Sequence, residues 1–313
     1  MKKLHASSFI VLLLTLIFLS QNSLAGALNL TIKDYGLSIG NSKRVNGIRI
    51  NLIDHNLEKV NGLNLTFWLP KENPNAVING LALGLISPAA KEINGFAFGP
   101  GVASSKFRGI SFGVIGVGGE DLGGIVLGGV GVGCKKLSGF GLGLIGVGSE
   151  DIEGIAIGGL GVGSQRIRGF SIGLLGVGCE DASGIVIGGL GVGAQKLSGF
   201  SCGVLGVGGQ ELSGIFFGGL GIGSQKLTGL GIGLGGIGGE EITGVALGGL
   251  VLKCERLKYL GTGAYLNAKS ITGISIGILN ITRQLHGIQL GLINYAGNNP
   301  KFLRILPLIN MHF

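Results

Sequence analysis

The sequence predicts an all-β protein built from tandem short units, and three observations carry that expectation. Gly supplies 67 of the 313 residues. It recurs every fifteen residues, at 109, 124, 139, 154, 169, 184, 199, 214, 229 and 244. Between recurrences, apolar residues alternate with period two, as on a pleated strand. No helix survives Gly at this density, because each interior Gly costs about 1 kcal/mol relative to Ala. With only 6 Pro and no strict G-X-Y period, collagen is excluded. With 45% apolar and 13% charged residues, a disordered polar chain is excluded as well.

Residues 1–25 read as a signal peptide. Lys2 and Lys3 form a basic start, residues 9–19 an apolar stretch, and Ser23-Leu24-Ala25 a small-residue cleavage site before Gly26. The stretch is shorter than the roughly 20 residues that span a bilayer. No Cys follows the cleavage site, so no lipid anchor is indicated. The expected destination is a bacterial outer membrane or cell surface. Beyond the signal, the chain divides into irregular β repeats over 26–108, regular Gly-rich repeats over 109–250, and C-terminal repeats with a terminal strand over 251–313.

The repeat is read most easily in slots, counting the recurring Gly as slot zero. Slots four, seven and nine are also Gly, as in Gly139, Gly143, Gly146 and Gly148. Slots one and three carry residues such as Phe170 and Ile172, slots six and eight residues such as Leu160 and Val162. Odd and even slots face opposite ways, so the apolar side changes near slot five, where a bulge, bend or corner would restore one apolar face. Weaker units begin at Gly47, Gly62, Gly80, Gly95, Gly273 and Gly287, and a degenerate one lies near Tyr259.

The full period is thirty residues. Slot five alternates large and Gly from Val114 and Gly129 through Leu234 and Gly249. The turns alternate too: Glu120-Asp121, Glu150-Asp151, Glu180-Asp181 and Glu240-Glu241 against Lys135-Lys136, Gln165-Arg166, Gln195-Lys196 and Gln225-Lys226. An up-and-down antiparallel meander explains this with two turn types at opposite ends. A fifteen-residue β-solenoid explains it with acidic and basic corners stacked alternately, roughly 4.8 Å apart. The meander, paired as thirty-residue hairpins and closed into a barrel-like array, is the expected fold; the solenoid is the alternative. Strands of about ten residues match the span of an outer-membrane barrel, and Ile309-Asn310-Met311-His312-Phe313 resembles the C-terminal assembly signal of such barrels. Scarce aromatics and the lack of polar side chains for a lumen weigh against an integral barrel.

Little here does chemistry. Cys134, Cys179 and Cys254 take slot ten, where other units hold Ser, Ala or Gly, and Cys202 takes an apolar slot; a structural disulfide is not expected. Gly141-Leu142-Gly143-Leu144-Ile145-Gly146 satisfies G-x-G-x-x-G only as a by-product of the repeat. His55, His286 and His312 lack zinc-ligand spacing. The acidic turns raise weak Ca²⁺ binding, but solvated turn charge is the simpler reading. Trp68, Pro70 and Pro74 mark the irregular region as the place to look for a pocket. No catalytic, cofactor-binding or metal-ligating residue is assigned, and an enzyme is not expected.

The net charge of +8 is uneven: residues 109–250 hold 6 basic and 10 acidic side chains, and the basic excess lies in the flanks. No basic stripe interleaved with aromatics points to nucleic acid. Expected partners are outer-membrane lipid or another envelope surface, with an unspecified host or envelope ligand.

The segments Ile271-Thr272-Gly273-Ile274-Ser275-Ile276-Gly277-Ile278-Leu279-Asn280 and Leu285-His286-Gly287-Ile288-Gln289-Leu290-Gly291-Leu292-Ile293-Asn294 resemble the glycine-rich surface-repeat family of spirochaetes and Bacteroidetes. Its members carry tandem G-h-Q-h-G-h-h-N segments behind a signal peptide. The resemblance covers most of the chain beyond residue 25. It implies an envelope or surface location and a structural or surface-interaction role, with a surface-exposed solenoid adhesin or ligand-binding protein as the alternative. It brings no activity and no site residues.

Overall fold

A computed structural model of the chain describes residues 27–71 and 73–313; the expected signal peptide lies outside the described residues. The chain divides into two compact units, one ending at Ser149 and the other running from Glu150 to Phe313. Each is a parallel β-solenoid. Apart from one 3-10 turn at Lys301–Leu303, no helix occurs among the described residues.

In the C-terminal unit, strands Gly161–Gly173, Gly176–Gly188, Gly191–Gly203, Gly206–Gly218, Gly221–Gly233 and Gly236–Gly248 stack in parallel. Each residue lies beside its counterpart in the neighbouring coil, Gly176 between Gly161 and Gly191, and Gly184 between Gly169 and Gly199. Val251–Thr262, Tyr265–Ile276 and Leu279–Ala296 continue the stack with coils one residue shorter, as in Val251 beside Tyr265. Ile305–His312 then folds back antiparallel onto the last coil and covers its edge. The N-terminal unit stacks Tyr35–Ile39, Arg44–Asn51, Lys59–Thr66, Val77–Gly84, Ala89–Gly128 and Gly131–Gly143 in the same parallel sense. There Leu28–Ile32 lies antiparallel against Tyr35–Ile39.

The antiparallel barrel is therefore corrected to a solenoid. The thirty-residue period is an alternation between successive coils, not between up and down strands. The bend at slot zero explains why parallel stacking wins. Gly184 sits at φ +120°, where a β-carbon would lie 2.1 Å from the carbonyl oxygen of Gly169 in the coil before. The same backbone-on-backbone contact repeats at Gly199, Gly214, Gly229 and Gly244, so each coil nests on the previous one at the same slot.

The interior is thin. Slots two, eight and thirteen face inward: Val186, Val177 and Leu197 are all buried. Slot two compensates for size from coil to coil, with the fully buried Phe216 stacked between Ser201 and Gly231. Slot four must be Gly, because a β-carbon at Gly173 would lie 2.1 Å from the oxygen of Gly176 across the corner. Two walls this close leave no room for the slot-one and slot-three side chains. The expected apolar face of slots one, three, six and eight is thus corrected: slot eight is core, while slots one, three and six point out.

Candidate functional site

The outward apolar side chains form the most distinctive surface. Along the strand from slot zero to slot four, alternation turns slots two and four inward and slots one and three outward. Slots five and six lie at the bend that follows. In the C-terminal unit Leu174 is 67% exposed, Leu175 52% and Val204 64%. Ile185, Leu190, Leu205 and Ile215 are exposed beside them. The N-terminal unit repeats the arrangement with Val114, Ile115, Leu144 and Ile145. Over 109–250 no charged or polar side chain interrupts slots one, three, five and six, Cys202 being the only departure from aliphatic, aromatic or Gly.

Slots ten to fourteen carry the charge. As the stacked-corner reading required, acidic and basic side chains from successive coils pair. Lys135 meets Glu120 at 2.7 Å in the N-terminal unit. In the C-terminal unit Arg166 donates two hydrogen bonds to Asp151 at 2.5 and 2.7 Å, and Lys196 lies 3.6 Å from Glu211. A hydrogen bond from Arg108 holds the Asp121 carboxyl below the usual carboxylate range, and one from Lys269 does the same for Glu255. These pairs are exposed, so water and salt screen them and they add little to stability. Among the described residues no three His, Cys, Asp or Glu side chains gather as a metal cluster.

The residues singled out in the sequence are dispersed, with one exception. All four cysteines are free; burial pushes the Cys179 thiol up to about 11 and the Cys254 thiol to about 12. The G-x-G-x-x-G segment runs along a strand into the slot-five bend and opens no helix. His286 and His312, distant in sequence, come together at the C-terminal edge. Their rings meet edge to face with centroids 6.1 Å apart, and His312 Nδ1 lies 2.7 Å from Asn299 Oδ1. The antiparallel return of the last strand causes this, and repeat counting gives no signal of it.

Around Pro70 and Pro74 the longer coil raises a loop that walls an open groove of about 770 Å³. Its floor is small, with Ala89, Ala103 and Gly118, and Lys71, Lys91 and Glu120 stand at its sides. Among the described residues one carboxylate, Glu120, lines it, and it is paired with Lys135.

Sequence reading also missed a buried ionic network in the N-terminal unit. Arg49 and Asp54 are both fully buried and paired. Arg49 further donates to Asn64 Oδ1 at 2.8 Å, Asn41 Oδ1 at 3.0 Å and the Ser42 carbonyl at 3.0 Å. Burial pushes the Asp54 carboxyl up, but the Arg49 charge and hydrogen bonds from Thr66, Arg49 and Asn64 outweigh it and hold the carboxyl below its ordinary value. Beside the network, Asn46, Asn61, Asn79 and Asn94 form a ladder of side-chain amides, linked at 2.6, 2.8 and 3.0 Å. With its donors spent inside the coil, the Arg49 cluster has a structural role. Counting from Gly47 puts Arg49 in slot two, so the signal exists once slot two is known to face inward.

No family model, curated protein or solved structure matches the chain. What remains chemically is a scaffold with one uncharged apolar flank and one ion-laced flank.

Proposed function

We propose that this chain is a non-enzymatic repeat protein of the bacterial envelope, acting through surface contact. The observation that carries this is the unbroken apolar row set, with Leu174, Val204 and Leu234 each more than 60% exposed. Monomeric proteins rarely expose apolar patches beyond a few hundred Å², and larger ones mark interaction sites. The sequence signal for export and the surface-repeat resemblance support an envelope setting. A peripheral attachment is proposed, since no described helix is long and apolar enough to cross a membrane and the strands form coils in place of a closed barrel.

The test is fractionation of the source cells followed by an alkaline carbonate wash of the envelope. The chain is expected in the envelope fraction and in the carbonate supernatant. Recovery from the cytosol would refute the envelope reading, and retention in the washed pellet would refute peripheral attachment.

A second reading, a ligand-binding protein, is favoured by the groove between the Pro70–Pro74 loop and the Ala89, Ala103 and Gly118 floor, where Lys71 and Lys91 supply positive charge. An acidic oligosaccharide is the chemistry that fits it. Calorimetry with a uronic-acid oligomer tests this, with measurable heat expected and its absence at millimolar ligand counting against it.

A further inference from the structure

We infer that the apolar flank is covered by the same flank of a second copy of this chain, with large slot-five side chains of one copy seated in the slot-five glycines of the other. The inference rests on geometry alone and stands independently of where the protein resides.

The key observation is the alternation at slot five. In the C-terminal unit Leu174, Val204 and Leu234 project, and Gly189, Gly219 and Gly249 leave gaps in the coils between them. Coils in a parallel sheet lie roughly 4.8 Å apart, so knobs and gaps each repeat at about 9.6 Å. In the gap coils the backbone has settled into a conformation only Gly fits: a β-carbon at Gly189 would lie 1.8 Å from the Leu174 oxygen, and one at Gly219 1.9 Å from the Val204 oxygen.

The alternation is confined to the regular coils. In the N-terminal unit slot five is filled in consecutive coils by Leu52, Phe67 and Leu85. Near the C-terminus Ala264, Ile278 and Leu292 fill it consecutively as well. In the regular coils the gaps are built into the stack, because the slot-five carbonyl of the coil before occupies the place of a β-carbon at Gly189, Gly219 and Gly249. The surface that results has a two-coil repeat of knobs and gaps, and a partner that interlocks with it must share that repeat. A second copy does. A fluid lipid surface has no such period, and slots one, three, five and six of residues 109–250 carry no Trp or Tyr, the residues that anchor proteins there.

Symmetry and area agree. A two-fold axis passing between a knob coil and a gap coil sets every knob opposite a gap, as a self-complementary isologous contact requires. A slip by one coil would set knob on knob, so the pattern also fixes register. Taking roughly 50 Å² for each half-exposed aliphatic side chain, the rows between Ile155 and Ile293 offer on the order of 1,000 Å². That exceeds the roughly 800 Å² per partner of a standard stable interface. No charge from slots one, three, five or six of residues 109–250 would be buried.

Sedimentation velocity on the purified chain at micromolar concentration tests the inference. Twice the chain mass is expected. The triple variant Leu174→Lys, Val204→Lys, Leu234→Lys should sediment as a monomer, its dissociation constant raised at least about 100-fold by three buried charges. Its far-ultraviolet circular dichroism should be unchanged, since all three side chains are exposed in the free chain. The matched triple Gln165→Lys, Gln195→Lys, Gln225→Lys, on the charged flank, should remain dimeric and controls for added charge. A monomeric wild type, a dimeric knob variant, or an open assembly larger than two copies would overturn the inference. So would wild-type chain that stays monomeric alone and pellets with phosphatidylcholine–phosphatidylglycerol vesicles.

Discussion

Gly184 and Gly178 read alike in the sequence, each one member of an unbroken glycine row, yet their surroundings are opposite. At Gly184 the backbone has φ +120° and a β-carbon would strike the carbonyl of the coil before. At Gly178 the backbone is ordinary and nothing lies within 4 Å of where a β-carbon would sit. The leucines divide in the same way: Leu197 is 2% exposed and Leu174 67%. Half of the repeat is thus dictated by how coils stack, and the other half by what the outside of the coil must look like. The bare slot-nine row is surface, and its glycine is not required by the fold.

Substitutions that exchange the two classes give the sharpest tests. Leu197→Ala should destabilise the C-terminal unit by about 2–5 kcal/mol in urea unfolding, whereas Leu174→Ala should leave the unfolding of dilute, monomeric protein nearly unchanged. Next in size, Gly184→Ala should cost at least about 2 kcal/mol, combining a backbone conformation that L-residues rarely adopt with a clash against the Gly169 oxygen. The converse experiment exists at Tyr259, which holds the slot-zero bend at φ +87° without being Gly and is 67% exposed. Tyr259→Gly should raise stability by about 1 kcal/mol, relieving strain without losing buried area. Smallest of all, Gly178→Ala should change stability by about 0 to +1 kcal/mol, since the added methyl meets open space and stiffens the unfolded chain. A loss comparable to that of Gly184→Ala would erase the distinction between the rows.

Much of this was legible beforehand. Period fifteen, the four glycine slots and the alternating charges are plain in the sequence, and the charge alternation already matched stacked corners. Two things were hidden. Parallel and antiparallel stacking share the same two-residue alternation, and the thirty-residue period suits either, so direction had to come from the slot-zero carbonyl contacts. Inside and outside were also ambiguous, because Ile185 and Val186 are equally apolar neighbours and only the narrowness at Gly173 decides that Val186 goes in. Arg49 was unreadable for the same reason: a basic residue in a strand looks exposed until slot two is known to be interior. His286 and His312 meet only because the final strand reverses, an event that breaks the repeat.

The parallel coil is the claim on which everything else stands, and Glu180 with Gln195 tests it most directly. They occupy slot eleven on successive coils, flanked by the in-register pairs Cys179–Ala194 and Asp181–Lys196. In a chain with Cys134, Cys179, Cys202 and Cys254 replaced by Ala, nitroxide labels at these two positions should sit on backbones roughly 4.8 Å apart. Strong spin-exchange broadening of the electron paramagnetic resonance spectrum is the result the solenoid predicts. In an antiparallel meander the same positions would lie at opposite strand ends, about 30 Å apart, and a sharp spectrum without broadening would contradict the fold.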